Sequence, residues 1–176
     1  MTVQLRPFRS TDLEALWQLG FSQADPAWAK TNAPYFEEYQ AYSDSKTFIE
    51  SDLAKFFLSS NVQAVFYQGE LVGMVSRYWE SQKTRWMEVG IVIYADGLWS
   101  KGVGTQALTQ WVGQTFEAFP SINHLGLTTW SGNPAMMALA GKIGFKEEGR
   151  IRQVRYWKGY YYDSMKYGVL RSEWKF

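Results

Sequence analysis

The residues best arranged for chemistry lie between Trp86 and Phe116. An apolar run, EVGIVIY at 88–94, leads into ADGLWSKGVG at 95–104 and then into a segment at 103–118 with helical spacing. Gly102 and Gly104 bracket Val103 where that helix should begin. The first N–H groups of a helix have no partner within it and carry the positive end of its dipole. Such an end suits a phosphate or pyrophosphate, and glycine lets a ligand come close to the backbone. Lys101 adds a point charge there or faces solvent. The spacing is not a dinucleotide-binding fingerprint, because the third glycine and the ribose-binding acid are missing. It is not a P-loop either, because no Gly-Lys-Ser/Thr follows a four-residue gap. A plain Gly-x-Gly turn with no ligand is the competing reading.

Other chemistries are narrowed by what is scarce. The chain has no cysteine and one histidine, His124. Disulfides, thiolate metal sites and cysteine nucleophiles are excluded. A Ser-His-Asp triad or a multi-histidine zinc site is disfavoured, no metal is expected, and His124 reads as structural. The lack of cysteine fits a reducing, cytoplasmic setting. No apolar run approaches 18 residues, and MTVQLRPFRS lacks the apolar core of a signal peptide, so no membrane span or leader is expected. A net charge of +1 implies no general affinity for nucleic acid.

At 176 residues and 46% hydrophobic, the chain is expected to form a single domain, 1–176, with a full core. Charge is uneven: residues 1–70 carry 5 basic and 9 acidic side chains, and residues 146–171 carry 7 and 3. These are either two walls of one cleft or two solvated faces. Nine Trp, eleven Tyr and eleven Phe form an aromatic surplus that serves a core or a site for amines or sugars.

The elements that must position the glycine loop follow from periodicity. Val3–Pro7 reads as a strand, and a helix starts after Ser10-Thr11-Asp12 with Leu13, Leu16, Trp17 and Leu19 in phase. Thr47–Ser59 reads as one helix with Phe48, Ile49, Leu53, Phe56 and Phe57 on one side. Val62–Tyr67 and Leu71–Trp79 form a hairpin about Gln68-Gly69-Glu70, and Trp86–Tyr94 is a third strand. The helix at 103–118 buries Ala107, Leu108, Trp111, Val112, Thr115 and Phe116. A strand at His124–Trp130, a helix at Asn133–Lys142 stopped by Gly144, and two strands within 151–170 complete the order. This order implies an α/β (α+β) fold with a mixed sheet and helices on both faces.

A second segment, WSGNPAMMALAGKIGF at 130–145, joins the glycine loop at a separation of about 30 residues. Together with the strand and helix order and the tail YYYDSMKYGVLRSEW at 160–174, it resembles the GNAT superfamily of N-acetyltransferases. The resemblance covers nearly the whole chain. It is closest to the branch that includes ribosomal-protein N-terminal acetyltransferases. It implies a mostly antiparallel sheet splayed at a cleft for acetyl-CoA, the acetyl donor. The family's pattern, Gln or Arg, two residues, Gly, any residue, Gly or Ala, reads Trp99-Ser100-Lys101-Gly102-Val103-Gly104 here. Both glycines match and Trp99 departs. By resemblance, the backbone of Gly102, Val103, Gly104 and Thr105, with Lys101, meets the pyrophosphate. The strand edge at Val92, Ile93 and Tyr94 pairs with the pantetheine amides, and Asn133 contacts the cofactor arm.

The implied chemistry is direct attack of an amine on the thioester in a ternary complex, with no enzyme nucleophile. Glu88 is the candidate base, acting through water from the strand face it shares with Gly90 and Val92; a carboxylate that caps the sheet is the alternative. The family's usual acid, a Tyr seven residues after the motif Asn, is Ala140 here, and the branch's Ser three residues after it is Met136. Residues 21–45, with Trp28, Tyr35, Phe36, Tyr39 and Tyr42 beside Asp25, Glu37, Glu38 and Asp44, are expected to shape the acceptor site. Aromatic faces with carboxylates suit a cationic amine such as a protein N-terminus, a polyamine or an amino-sugar drug. Packing of the helix pair is the alternative use. The aromatic tail at 156–162 either closes the sheet or forms a homodimer patch. A non-catalytic acyl-CoA sensor is the competing function, motivated by the two missing acid residues. An all-β sugar-binding domain is disfavoured by the two helices.

Overall fold

Alternation along one strand divides the molecule. In β4, Trp86–Ile93, the residues Met87, Val89, Ile91 and Ile93 join one apolar cluster, and Val92 packs against another on the opposite face. The computed structural model describes residues 2–176. Its sheet has seven strands in the order β1-β2-β3-β4-β5-β7-β6. They are β1 Val3–Arg6, β2 Val62–Tyr67, β3 Glu70–Ser81, β4, β5 His124–Trp130, β6 Lys146–Trp157 and β7 Tyr160–Leu170. Only β4 and β5 pair in parallel; every other neighbouring pair is antiparallel.

Helices cover both faces. On one, α4 (Val103–Ala118) and α5 (Pro134–Lys142) meet Val89, Leu125, Leu127 and Met165. The six residues expected inside α4 are all buried there, together with Val103. On the other face, α1 (Leu13–Leu16), α2 (Ser45–Ile49) and α3 (Asp52–Phe57) close over Ala64, Val62 and Tyr94. Among the described residues no helix is long and apolar enough to cross a membrane.

Three expectations are corrected. The helix expected over 47–59 is two helices. Ser51 accepts from the Ala54 N–H and donates to the Phe48 carbonyl, which restarts the helix and resets its phase. Ile49 and Phe56 are consequently 41% and 42% exposed. The first helix gives way to a wider π turn at Trp17–Phe21, which buries Gly20 and Phe21. Strand β6 begins at Lys146 rather than 151. It is an edge strand exposed along most of its length, so its polar KEEGR start carries no apolar alternation to read. In the hairpin, Tyr156, Tyr160 and Tyr161 are exposed, whereas Trp157 and Tyr162 pack on Trp130.

Ser51→Ala should cost about 1 kcal/mol. In a chain of this length that lowers the melting temperature by about 2–4 °C, read by calorimetry. An unchanged melting temperature would show that the break does not depend on the cap.

Candidate functional site

The sheet opens between its two parallel strands. β4 and β5 pair only at Met87–Leu125 and Glu88–Gly126, although β4 runs on to Ile93 and β5 to Trp130. Register shows what the opened edge offers. Tyr94 donates its N–H to the Val72 carbonyl of β3, 2.9 Å away. By antiparallel alternation, Val92, Gly90 and Glu88 also turn their amides toward β3, and Ile91 and Ile93 turn theirs toward the gap. At Ile93 the carbonyl is already taken, because Trp99 Nε1 donates to it at 2.8 Å. The Ile91 N–H and C=O and the Ile93 N–H face the gap without a ladder partner.

The start of α4 faces the same space. Gly102 precedes the helix with φ +81°, a left-handed conformation that glycine adopts without steric cost, and no side chain caps the end. Gln106 is the first to bond back, to the Gly102 carbonyl. The N–H groups of Val103, Gly104 and Thr105 are therefore free of intrahelical partners. One cleft of about 390 Å³ joins these parts. Ile91, Ile93 and Leu139 line its α4–α5 side, and Trp28, Thr31 and Val92 line the side facing the first helices. An apolar channel with N–H groups at one end and an open strand edge along it suits a long ligand with amide groups and an anionic head.

Of the residues expected to bind the donor, Val92, Ile93, Gly102, Gly104, Thr105 and Asn133 line this cleft. Two expectations, for Lys101 and Tyr94, need correction. Lys101 is exposed and outside the lining, whereas Lys142, at the end of α5, lines the cleft. The Val103 side chain is buried in the α4 core, so only its N–H can serve a ligand. Tyr94 is buried between Phe21 and Trp28 with its amide turned to β3, and burial pushes its phenol well above the usual tyrosine range.

Asn133 has both ends of its amide engaged. Oδ1 accepts from the Met136 N–H at 3.1 Å, which caps α5. Nδ2 donates to the Thr31 carbonyl at 3.4 Å, and Trp130 Nε1 donates to the same oxygen at 2.8 Å. These two bonds tie residue 31 to the end of β5 and the start of α5. Met136 lines the cleft as a thioether, and Ala140 is fully buried.

Glu88 is not brought to the cleft. Its side chain is 2% exposed. Oε2 accepts from Tyr78 Oη at 2.6 Å and Thr128 Oγ1 at 2.7 Å, and Lys166 Nζ lies 3.7 Å from Oε1. Burial and the adjacent carboxylate push the Tyr78 phenol well above its ordinary range. His124 pairs with Glu148 at 2.8 Å, away from the cleft.

The aromatic segment 21–45 is mostly packing. Trp28 sits edge-on to Phe21, Tyr39 and Tyr94, and Tyr42 edge-on to Phe48. The cation on these faces belongs to the chain itself. The Arg155 guanidinium lies 4.9 Å from the ring centres of both Tyr35 and Phe36. Glu37 and Glu38 are exposed. The basic tail thus meets the early segment, but the two charged regions do not line the cleft. The signal missed in the sequence was the cation–π pairing across more than a hundred residues, which no local pattern records. Among the described residues no cluster of His, Asp and Glu forms a metal site.

A parted parallel strand pair facing an uncapped helix start, within a mostly antiparallel sheet covered by helices on both faces, is the frame of this site. The acetyltransferase (GNAT) domain matches residues 2–146, and the chain belongs to that family. YdaF of Bacillus subtilis (strain 168), provisionally named a ribosomal N-acetyltransferase, is 32% identical over 111 residues, which are 63% of this chain and 60% of YdaF. The match therefore spans about three fifths of that relative's length. Two crystal structures share the fold. The Vibrio cholerae spermidine N-acetyltransferase with CoA and spermine has a TM-score of 0.74 at 22% identity, over 97% of this chain and 96% of its own. The Salmonella typhimurium acetyl transferase that modifies the N-terminal serine of ribosomal protein L7/L12 has a TM-score of 0.72 at 20% identity, over 97% and 95%.

Proposed function

We propose that this protein is an N-acetyltransferase that moves an acetyl group from acetyl-CoA to a primary amine by direct attack in a ternary complex. The observation that carries the reading is the alignment, in one cleft, of the free β4 edge with the uncapped start of α4. The α4 N–H groups at 103–105 would hold the pyrophosphate, with Lys142 beside them. The Ile91 carbonyl and N–H would pair with pantetheine amides as an added strand does. Acetyl-CoA supplies the thioester carbonyl. The Ile93 N–H is the donor placed to meet the charge that develops on the carbonyl oxygen, since the Ile93 carbonyl is held away by Trp99.

The amine enters at the mouth formed by Thr31, Asn32, Trp28 and Val92. It attacks the carbonyl carbon as the neutral base, the C–S bond breaks, and its proton passes to water at that mouth. A thiol is a fair leaving group, with an ordinary pKa near ~8.5. This chemistry needs no cysteine and tolerates Ala140 and Met136 where relatives of the family place acids. The relatives named for ribosomal protein and for spermidine support a primary amine acceptor, a protein N-terminus or a polyamine. With Tyr35 and Phe36 already holding Arg155, a ready-made cage for a polyamine is not open on these two rings. Met136 and Ala140 also favour a second reading, an acyl-CoA sensor. Turnover of the thioester with a panel of amines separates the two.

Acetyl-CoA at 100 times its dissociation constant should stabilise the fold by about 2.7 kcal/mol. That raises the melting temperature by about 5–10 °C. An unmoved melting temperature in saturating acetyl-CoA would overturn both the donor assignment and the function built on it.

A further inference from the structure

We infer that Glu88 is a positioning residue, held by Thr128, Tyr78 and Lys166 as a pin that joins β4 to β5 at the root of the cleft and sets how the strands part above it. The inference rests on the acetyl-CoA reading of the cleft.

The argument begins with place. Glu88 and Gly126 form the last backbone pair between the two strands. The next link is made by side chains: Thr128, two residues further along β5, donates its hydroxyl to Glu88. Neighbouring strands converge on the same carboxylate. Tyr78 lies directly opposite Glu88 on β3, and Lys166 lies directly opposite Thr128 on β7. Lys166 Nζ donates to Thr128 Oγ1 at 2.6 Å and stands by the second carboxylate oxygen. Four adjacent strands are thus tied in one row, on one face, where the ladder ends.

Gly126 makes the arrangement possible. A Cβ there would lie 3.0 Å from Glu88 Cγ and 3.2 Å from Oε1. The glutamate side chain therefore lies flat across the β5 backbone. A buried carboxylate is tolerated when donors and an opposite charge surround it; here two hydroxyls donate to it and the Lys166 ammonium lies 3.7 Å away. It is buried and does not line the cleft. The open edge that is to meet the donor, at Ile91 and Ile93, begins three residues beyond the pin. An error in the angle between the strands at Glu88 becomes a displacement of that edge, and small misplacements of a binding surface are costly.

The two roles for Glu88 predict opposite orders of severity. Thr128→Val removes the hydroxyl that crosses the gap. Glu88→Gln keeps an oxygen that accepts from Tyr78 and Thr128 and loses the charge facing Lys166, which at 3.7 Å makes no hydrogen bond to it. As a pin, Thr128→Val raises the acetyl-CoA dissociation constant about tenfold, the equivalent of one hydrogen bond to a charged group, and Thr128→Ser restores it. The amine Michaelis constant stays within about twofold, and Glu88→Gln keeps turnover within about fivefold of wild type.

Hydrogen exchange on the ligand-free protein supplies a readout that needs no donor. In Thr128→Val, amides at 87–93 and 124–130 should exchange faster while those of α1–α3 do not change. Unchanged exchange and unchanged acetyl-CoA affinity in Thr128→Val overturn the pin. So does a turnover loss of a hundredfold or more in Glu88→Gln with Thr128→Val silent, which is the signature of a proton acceptor. Failure of wild type to bind acetyl-CoA, with local exchange raised in Thr128→Val, overturns the function and leaves the pin.

Discussion

Gly104→Asp is expected to abolish acetyl-CoA binding while leaving the fold as stable as before or slightly more so. The two halves of this result have opposite signs for one reason. Gly104 is in the first turn of α4 and lines the cleft. A Cβ at this position meets only Leu139 Cδ2 at 3.5 Å and Ile91 Cδ1 and Ile93 Cγ1 at 3.9 Å, which is ordinary contact. The new side chain therefore has room in the free protein. An acidic group in the first turn interacts favourably with the helix dipole, by about 0.3–1 kcal/mol.

The same carboxylate stands where the diphosphate of the donor is placed by the free N–H groups. Two like charges about 4 Å apart near a protein surface repel by roughly 4 kcal/mol, so affinity should fall by at least about 100-fold. Calorimetric titration with acetyl-CoA and a melting curve of the free protein read the two halves separately. Wild-type affinity in Gly104→Asp would remove the pyrophosphate from the start of α4. A collapse of the melting temperature would show that position 104 is packed more tightly than its neighbours imply.

Much of this site was legible in the sequence because it is local. Gly102 and Gly104 lie within three residues of each other, and the helix they open shows its buried face as a 3.6-residue period from Val103 to Phe116. The strand at His124–Trp130 and the helix that follows it to Lys142 are likewise short-range patterns. The parts that were not legible depend on distant pairings. Asn133 donates to Thr31, Trp130 to the same carbonyl, and Arg155 covers Tyr35 and Phe36. Each links residues about a hundred positions or more apart, and no periodicity carries such information. Trp99 shows a further limit. Its departure from the family pattern was visible, but its use, capping the Ile93 carbonyl and so selecting which backbone groups remain for a ligand, required the register of β4. Lys142 lines the cleft from the last turn of α5, a placement set by how α5 packs on the sheet and not by distance along the chain.

The long-range ties make Trp130 a residue whose loss should cost the fold heavily. It is 2% exposed, and its ring packs edge-on to Tyr35, Trp157 and Tyr162. Trp130→Ala removes that packing and leaves a cavity, at an expected cost of about 3–5 kcal/mol. Denaturant unfolding measures it as a lower midpoint at an unchanged slope. Trp130→Phe isolates the other part of its role. The rings still meet an aromatic, but the bond from Nε1 to the Thr31 carbonyl is gone, and that oxygen keeps only the longer contact from Asn133. The expected cost is about 1–3 kcal/mol. Thr31 and Asn32 line the cleft beside Trp28, at the mouth proposed for the amine, and the N–H groups proposed for the diphosphate lie at the start of α4. Loosening residue 31 should therefore raise the Michaelis constant of the amine several-fold and leave the acetyl-CoA dissociation constant where it was. If Trp130→Phe weakened acetyl-CoA binding as much as amine binding, residues 31–36 would belong to the donor's half of the cleft, and the division of the site into two mouths would be wrong.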